Sequence, residues 1–174
     1  WGGQPKDNSY DWPESNHGIV VDHKGFVWID GNGGPDAHIL KFTRDGKFVA
    51  QYGKKNARLK EGAPGAKPTF VADSMDMNNF GRVAKIFIDP KANEGYVADG
   101  YLNHRVAVID LDSGKIKRMW GAYGKPLAQI STTPSKFVKD GPPPQDFVGH
   151  VTLNVSRDGT VYTADRQGNR IQAY

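Results

Sequence analysis

The chain has 174 residues, enough for one medium domain or part of a larger one, and Lys+Arg 23 against Asp+Glu 19 leaves a net charge of +4. Hydrophobic residues at 37% and aromatics at 11% fit a folded domain with a modest core, and no apolar run reaches the ~18 residues that a membrane span needs. With Cys at 0 there is no disulfide, thiolate zinc site or cysteine nucleophile, so His, Asp and Glu are the only strong metal ligands on offer.

The sequence opens on Trp1 rather than Met and reads as a processed chain or a fragment, with Trp1-Gly2 as the end of a preceding unit. From His17 the run HGIVVDHKGFVWIDG reads as strand, Lys24-Gly25 turn and strand. Residues 38–42, a turn at 44–47 and residues 48–52 add two more strands, and the unit closes on Tyr52-Gly53. Residues 54–79 form a long insert rich in Lys, Pro, Gly and Asn. Its cluster of Lys54, Lys55, Arg58 and Lys60 reads as a solvated loop, so nucleic acid is not expected as a partner. The pattern then repeats: Ile86-Phe87-Ile88, a turn at Asp89-Pro90, Tyr96-Val97, residues 105–110, a turn at 112–115, residues 116–120 and the closing Trp120-Gly121. A second insert of the same composition covers 122–148, and HVTLNVSRDGTVYTADR from His150 opens a third unit, which reaches Tyr174 inside its third strand.

In-phase four-stranded antiparallel units without helical periodicity predict an all-β fold, a β-propeller segment of about three blades near 16–53, 82–121 and 149–174. A β-sandwich is the competing fold, which the in-phase repeat disfavours. The stretch 1–174 is expected to be a single propeller segment, whose exposed strand edges require either missing blades or a second copy of the chain to close the ring.

The runs 99–106 and 164–172, with Ala-Asp or Asp-Gly, a short turn, Asn103-His104 or Asn169, and then Arg105-Val106 or Arg170-Ile171, resemble the NHL repeat. Within that group the chain is similar to the peptidyl-α-hydroxyglycine α-amidating lyases and to secreted bacterial NHL-type propellers without an assigned activity. The resemblance rests on His17-Gly18-Ile19 with Trp28, on 80–106, and on 147–174. It implies a six-bladed ring, a secreted or periplasmic location, a small peptide-like substrate and a central zinc. It further implies His17 and His150 as zinc ligands opening the first strands of alternate blades, Tyr101 as the catalytic tyrosine after Asp-Gly, and Arg166 as an active-site arginine after Ala-Asp. The third zinc histidine and the second arginine of those lyases lie in blades outside this sequence, and Val83-Ala84-Lys85 stands where they have Pro-Thr-Asp.

Each residue also has a plainer reading. His17 and His150 are then polar strand-start residues bonded to a neighbouring blade, Tyr101 packs at a blade edge, and Arg166 pairs with Asp165 or Asp99. In the chemical reading, two neutral imidazoles supply part of a zinc site, Tyr101 is a general base, and the planar fork of Arg166 holds a carboxylate. His104, Arg105 and Arg170 belong to the repeat and are expected to be structural, and His38 replaces the repeat's arginine. Calcium, the second candidate cation, has no one-three-five ligand spacing around Asp30 and Asp36, and Gly31-Asn32-Gly33-Gly34 lacks the strand-to-helix setting of a phosphate cradle. The alternative to an enzyme is a propeller scaffold whose two inserts contact a protein, peptide or glycan.

Overall fold

Short β-branched and aromatic runs broken by Gly, Asp and Pro bury themselves most readily as hairpins stacked face to face. The structure, a computed structural model, describes residues 1–174 and is built in this way. The first sheet holds β1 (Asn16–Val21), β2 (Val27–Gly31), β3 (His38–Phe42) and β4 (Phe48–Gly53) in that spatial order, every pair antiparallel. A two-stranded hairpin, β5 (Leu59–Lys60) with β6 (Thr69–Phe70), sits in the first insert. The second sheet repeats the up-and-down order with β7 (Ile86–Asp89), β8 (Glu94–Asp99), β9 (Arg105–Asp110) and β10 (Ile116–Trp120). The third has three strands, β11 (Val151–Val155), β12 (Val161–Asp165) and β13 (Arg170–Ala173). The second insert holds two 3-10 turns, Ala122–Gly124 and Leu127–Gln129, and no helix of the chain is long and apolar enough to cross a membrane.

The expected hairpin turns are present because short polar side chains close them. In the first, Asp22 Oδ1 accepts from the backbone N–H of Lys24 and Phe26, both at 2.9 Å, while its Oδ2 accepts from the Trp28 indole at 2.8 Å. In the turn between β9 and β10, Asp110 accepts from the Ser113 backbone and hydroxyl, each at 2.8 Å.

The sheets stack as blades, with the first strands β1, β7 and β11 neighbouring one another in sequence order around a common axis. One apolar layer lies between the first two blades, where Trp28 and Ile39 meet Val97, Ala107, Ile109 and Leu111. A second layer lies between the next two, where Ala98, Val106 and Val108 meet Val151, Leu153 and Val161. Covered on both faces, β8 is buried at every position and β9 at all but its last. By contrast β11 alternates buried and exposed residues over its first four positions and β13 alternates half-buried and exposed ones, because only one face of the third blade is covered. Lys41 bolts the first two blades together: its Nζ donates to Leu111 O at 2.7 Å beneath the rings of Phe26 and Trp28, and burial pushes its pKa down.

The first residue of each third strand has one recurring task, which is to hold the carbonyls of the segment leading into its own blade. Arg105 donates to Ser74 O, Asp76 O and Asn79 O at 2.8, 2.6 and 2.8 Å, tying down the return of the first insert. Arg170 does the same for the second insert through Pro144 O and Asp146 O. In the first blade His38 Nε2 donates to Asp11 O at 2.7 Å. Both arginines also pair with the aspartate that ends their second strand, Arg105 with Asp99 at 2.7 Å and Arg170 with Asp165 at 3.1 Å.

Between the first two blades, the aromatic that ends the first unit is seated on the last turn of the second. Tyr52 lies over Gly114, and Trp1 lies over Gly46 with its indole N–H donating to Arg44 O at 3.1 Å. Gly114 has φ +69 and a Cβ there would collide with the Tyr52 ring, whereas Gly124, at φ +71, has nothing within 4 Å. Gly114→Ala is therefore expected to lose about 2–3 kcal/mol in chemical denaturation, left-handed strain plus displacement of Tyr52. Gly124→Ala should lose only the ~1 kcal/mol of strain. Equal losses would show that Tyr52 is not held by the glycine socket.

Candidate functional site

The axis end of the first strands is where residues distant in sequence come together. His17 is on β1 at a bulge, where the β1–β2 register slips between Asn16 and Ile19 and the Gly18 N–H is taken by Asp30 Oδ1 at 2.8 Å. Its Nδ1 donates to Ala84 O at 2.8 Å, which fixes the tautomer and leaves Nε2 with a lone pair facing the Tyr101 hydroxyl at 3.2 Å. Tyr101 follows β8 through Gly100, whose α-carbon lies so close to Val151 that no side chain fits there. The Tyr101 ring is 5.7 Å from the His17 ring and 4.4 Å from that of His150, so it stands beside both imidazoles.

His150 precedes β11 with φ 56, a left-handed conformation uncommon for a side-chain-bearing residue and a frequent mark of a functional position. Arg166, just after β12, contacts His150 Nδ1 through one guanidinium N–H. The expected pairings of Arg166 with Asp165 or Asp99 do not form, because those carboxylates belong to Arg170 and Arg105. His17, Tyr101, His150 and Arg166 thus form one continuous chain of contacts.

As a zinc site the donors fit in part. The His17 Nε2 lone pair faces the Tyr101 hydroxyl at 3.2 Å, and its other nitrogen is held by a carbonyl, as is typical of a ligating histidine. The His150 Nδ1 lone pair is taken by Arg166, so His150 can serve only when that guanidinium moves aside. No group of three or more His, Asp or Glu side chains converges anywhere in the chain. Around Asp30 and Asp36 the backbone supplies the partners: Asp36 accepts from the N–H groups of Glu14, Ser15 and Gly33 at 2.8, 3.1 and 2.8 Å.

Two residues of the neighbourhood were not singled out by the sequence pattern as site residues. Arg82, at φ 66, lies with its guanidinium 5.5 Å over the Tyr101 ring. Nothing in the repeat marks it. Asp30, beneath the His17 bulge, is 1% exposed with Oδ2 unpartnered, and burial, with Asp36 adding repulsion, pushes its pKa up to about 7. Here the sequence did carry a signal, since His38 stands where the repeat has the arginine that pairs with this aspartate in the other two blades. His38 itself has its pKa lowered by burial and leaves Nδ1 unpartnered.

An open cavity of ≈ 340 Å³ adjoins the cluster, lined by Trp1, Trp12, Asn16, His17, Gly18, Ile19 and Ile29. A larger one of ≈ 730 Å³ lies at the rim beside Tyr52, Asn79 and Ser113 and touches none of the clustered residues. Of the four clustered residues only His17 lines the smaller cavity, and Arg166 lines a separate open one of ≈ 570 Å³.

No family model matches the chain. It is 26% identical over 159 residues to a Caenorhabditis elegans protein named as a probable peptidyl-α-hydroxyglycine α-amidating lyase, covering 91% of this chain and 36% of that protein. It is 26% identical over 142 residues to peptidyl-glycine α-amidating monooxygenase B of Xenopus laevis, covering 79% of this chain and 15% of that one. The chain spans about a third or less of these curated relatives. Among solved structures, a Staphylococcus aureus virginiamycin B lyase variant superposes with a TM-score of 0.33 at 16% identity, covering 92% of this chain and 69% of that one. The blade assignment rests on the chain's own sheets.

Proposed function

We propose that this chain carries the central site of a metal-dependent propeller lyase of the amidating type, acting on a peptide that ends in α-hydroxyglycine. The observation behind the reading is the single contact chain His17, Tyr101, His150, Arg166, four residues drawn from three blades to the axis. The distant likeness to amidating lyases and monooxygenases supports the same class.

In this reading His17 and His150 would hold zinc together with donors from outside this sequence, and the chemistry supplied would be Lewis acidity toward the substrate's hydroxyl oxygen. The other steps fall to the chain's own groups. Ala84 O keeps the His17 proton on Nδ1, so that Nε2 carries the lone pair. The Tyr101 hydroxyl, 3.2 Å from that Nε2, is placed to take the substrate's hydroxyl proton. As the carbon–nitrogen bond breaks, its electron pair goes to the amide nitrogen, which is protonated, and the former hydroxyl carbon leaves as an aldehyde, glyoxylate. Arg166, on the far side of His150, offers charge to the carboxylate of that product.

The full-length protein, incubated with zinc and an α-hydroxyglycyl peptide, should release glyoxylate. His150→Ala should lower the rate at least about 100-fold, since disturbing even the outer shell of a metal site costs about 10–100-fold. Zinc content measured in parallel should fall in His17→Ala. Equal release by the protein and its His150→Ala variant would end the reading.

A second reading, a secreted or periplasmic scaffold, has an observation of its own. The two inserts present Val71, Met75, Met77 and Val138 to solvent at 44, 56, 51 and 61% exposure, apolar side chains suited to a protein or peptide partner. Glyoxylate release that tracks His17 and His150 would count against it.

A further inference from the structure

We propose that Arg82 is an anion-binding residue of this cluster, its free guanidinium fork taking the carboxylate of a small ligand whose other polar groups reach Tyr101. Four of the chain's arginines, Arg58, Arg105, Arg118 and Arg170, hold a carboxylate of the chain. Arg44 and Arg157 hold none but are exposed turn residues, as a solvated cation is expected to be. Arg82 differs from both groups. It is half-buried, and none of its guanidinium nitrogens meets an Asp or Glu.

It is also fixed in place. The Arg82 N–H donates to Asp36 O at 3.1 Å, and Nε donates to Asn32 O at 2.7 Å. Asn32 is in turn held by Ser15, through Asn32 N to Ser15 O at 2.9 Å and through the Ser15 hydroxyl to Asn32 Oδ1 at 2.8 Å. The Gly-rich loop of the first blade thereby acquires a purpose, which is to brace a guanidinium that belongs to the second. With Nε committed, both Nη atoms remain without an acceptor in the chain, the two-pronged donor that matches a carboxylate. A left-handed backbone at φ 66 and a ring contact of 5.5 Å to Tyr101 keep that fork at the cluster.

Arg166 does not offer the same fork, because one of its terminal nitrogens is already engaged with His150 Nδ1. The assignment of Arg82 rests on the reading of this cluster as a site, and needs neither zinc nor bond cleavage.

Glycolate is a suitable probe, carrying one carboxylate and one hydroxyl. The full-length protein, freed of metal with EDTA, is titrated with glycolate and separately with inorganic phosphate at low ionic strength. Arg82→Ala should weaken glycolate binding roughly tenfold, the loss of about one charge-assisted hydrogen bond. Arg82→Lys should recover only part of it, since an ammonium lacks the planar fork. Three results would overturn the proposal: Arg82→Ala titrating like the wild type, a loss confined to Arg166→Ala, or phosphate binding more tightly than glycolate. If Arg82→Ala fails to fold, the wild-type Arg82 Nε–H resonance decides: a shift as glycolate binds supports the assignment, and binding without a shift overturns it. Glyoxylate release without glycolate binding would sink this proposal alone. Glycolate binding without release would sink the lyase alone.

Discussion

Arg105→Ala is expected to destabilise the protein by about 3–5 kcal/mol, the usual loss when one partner of a buried ion pair is removed. Arg105 and Asp99 are both 0% exposed, so truncation leaves a carboxylate sealed from water with only the Gly81 N–H and the Asn103 amide to hold it, at 2.5 and 2.9 Å. Three carbonyls of the first insert lose their donor at the same time. Arg105→Lys should recover less than half of the loss, because one ammonium cannot reach Asp99 and all three carbonyls together. Adding Asp99→Asn to Arg105→Ala should restore part of it by removing the stranded charge. Chemical denaturation measures each step, and hydrogen exchange should show residues 73–79 loosening first. A loss below about 1 kcal/mol would mean that water reaches Asp99 and that the pair is not sealed.

The second large effect is a stability gain that depends on pH. Asp30 keeps its proton in the folded state up to about 7, against an ordinary value of 3.8. Below pH ~4 the folded and unfolded chains are both protonated there, and Asp30 has no influence. Between about 4 and 7 the unfolded chain has released the proton and the folded one has not, so stability falls as pH rises. At about 1.4 kcal/mol per pH unit, the deficit approaches about 4 kcal/mol above pH 7. Asp30→Asn imitates the neutral acid and can still accept from the Gly18 N–H. It should match the wild type near pH 4 and melt progressively higher than the wild type toward pH 8. A difference that stays constant across that range would place a partner or a water at Oδ2.

Much of the fold is legible in the sequence because the signals are local. The turns at Lys24-Gly25, Asp89-Pro90 and 112–115 carry their own side-chain acceptors, and the β-branched runs beside them have no helical alternative. The uneven inserts were less legible. The β5–β6 hairpin lies inside a stretch whose composition reads as loop, and the carbonyl-holding role of Arg105 and Arg170 depends on backbone that arrives from 24–31 residues away. The four candidate residues His17, Tyr101, His150 and Arg166 could be named from the resemblance to the amidating lyases, and in the structure they lie in contact. Arg82 could not be named in that way, since its importance comes from Asn32 in another blade and from a left-handed turn that no pattern of residue types at 80–84 announces. Asp30 lies between these cases: the missing arginine was visible at His38, whereas the sealing of its carboxyl was not.

The seating of Tyr52 on Gly114 and of Trp1 on Gly46 bears on how the chain is to be divided for expression or permutation. A cut at the aromatic-Gly that closes a blade looks natural by sequence, yet it separates a plug from its receptacle: the fragment upstream keeps a naked indole or phenol, and the fragment downstream keeps a vacant notch. Boundaries set after the final turn of the following blade would carry each plug together with its notch, and fragments cut there should be more soluble and less prone to associate than fragments cut at the apparent joints.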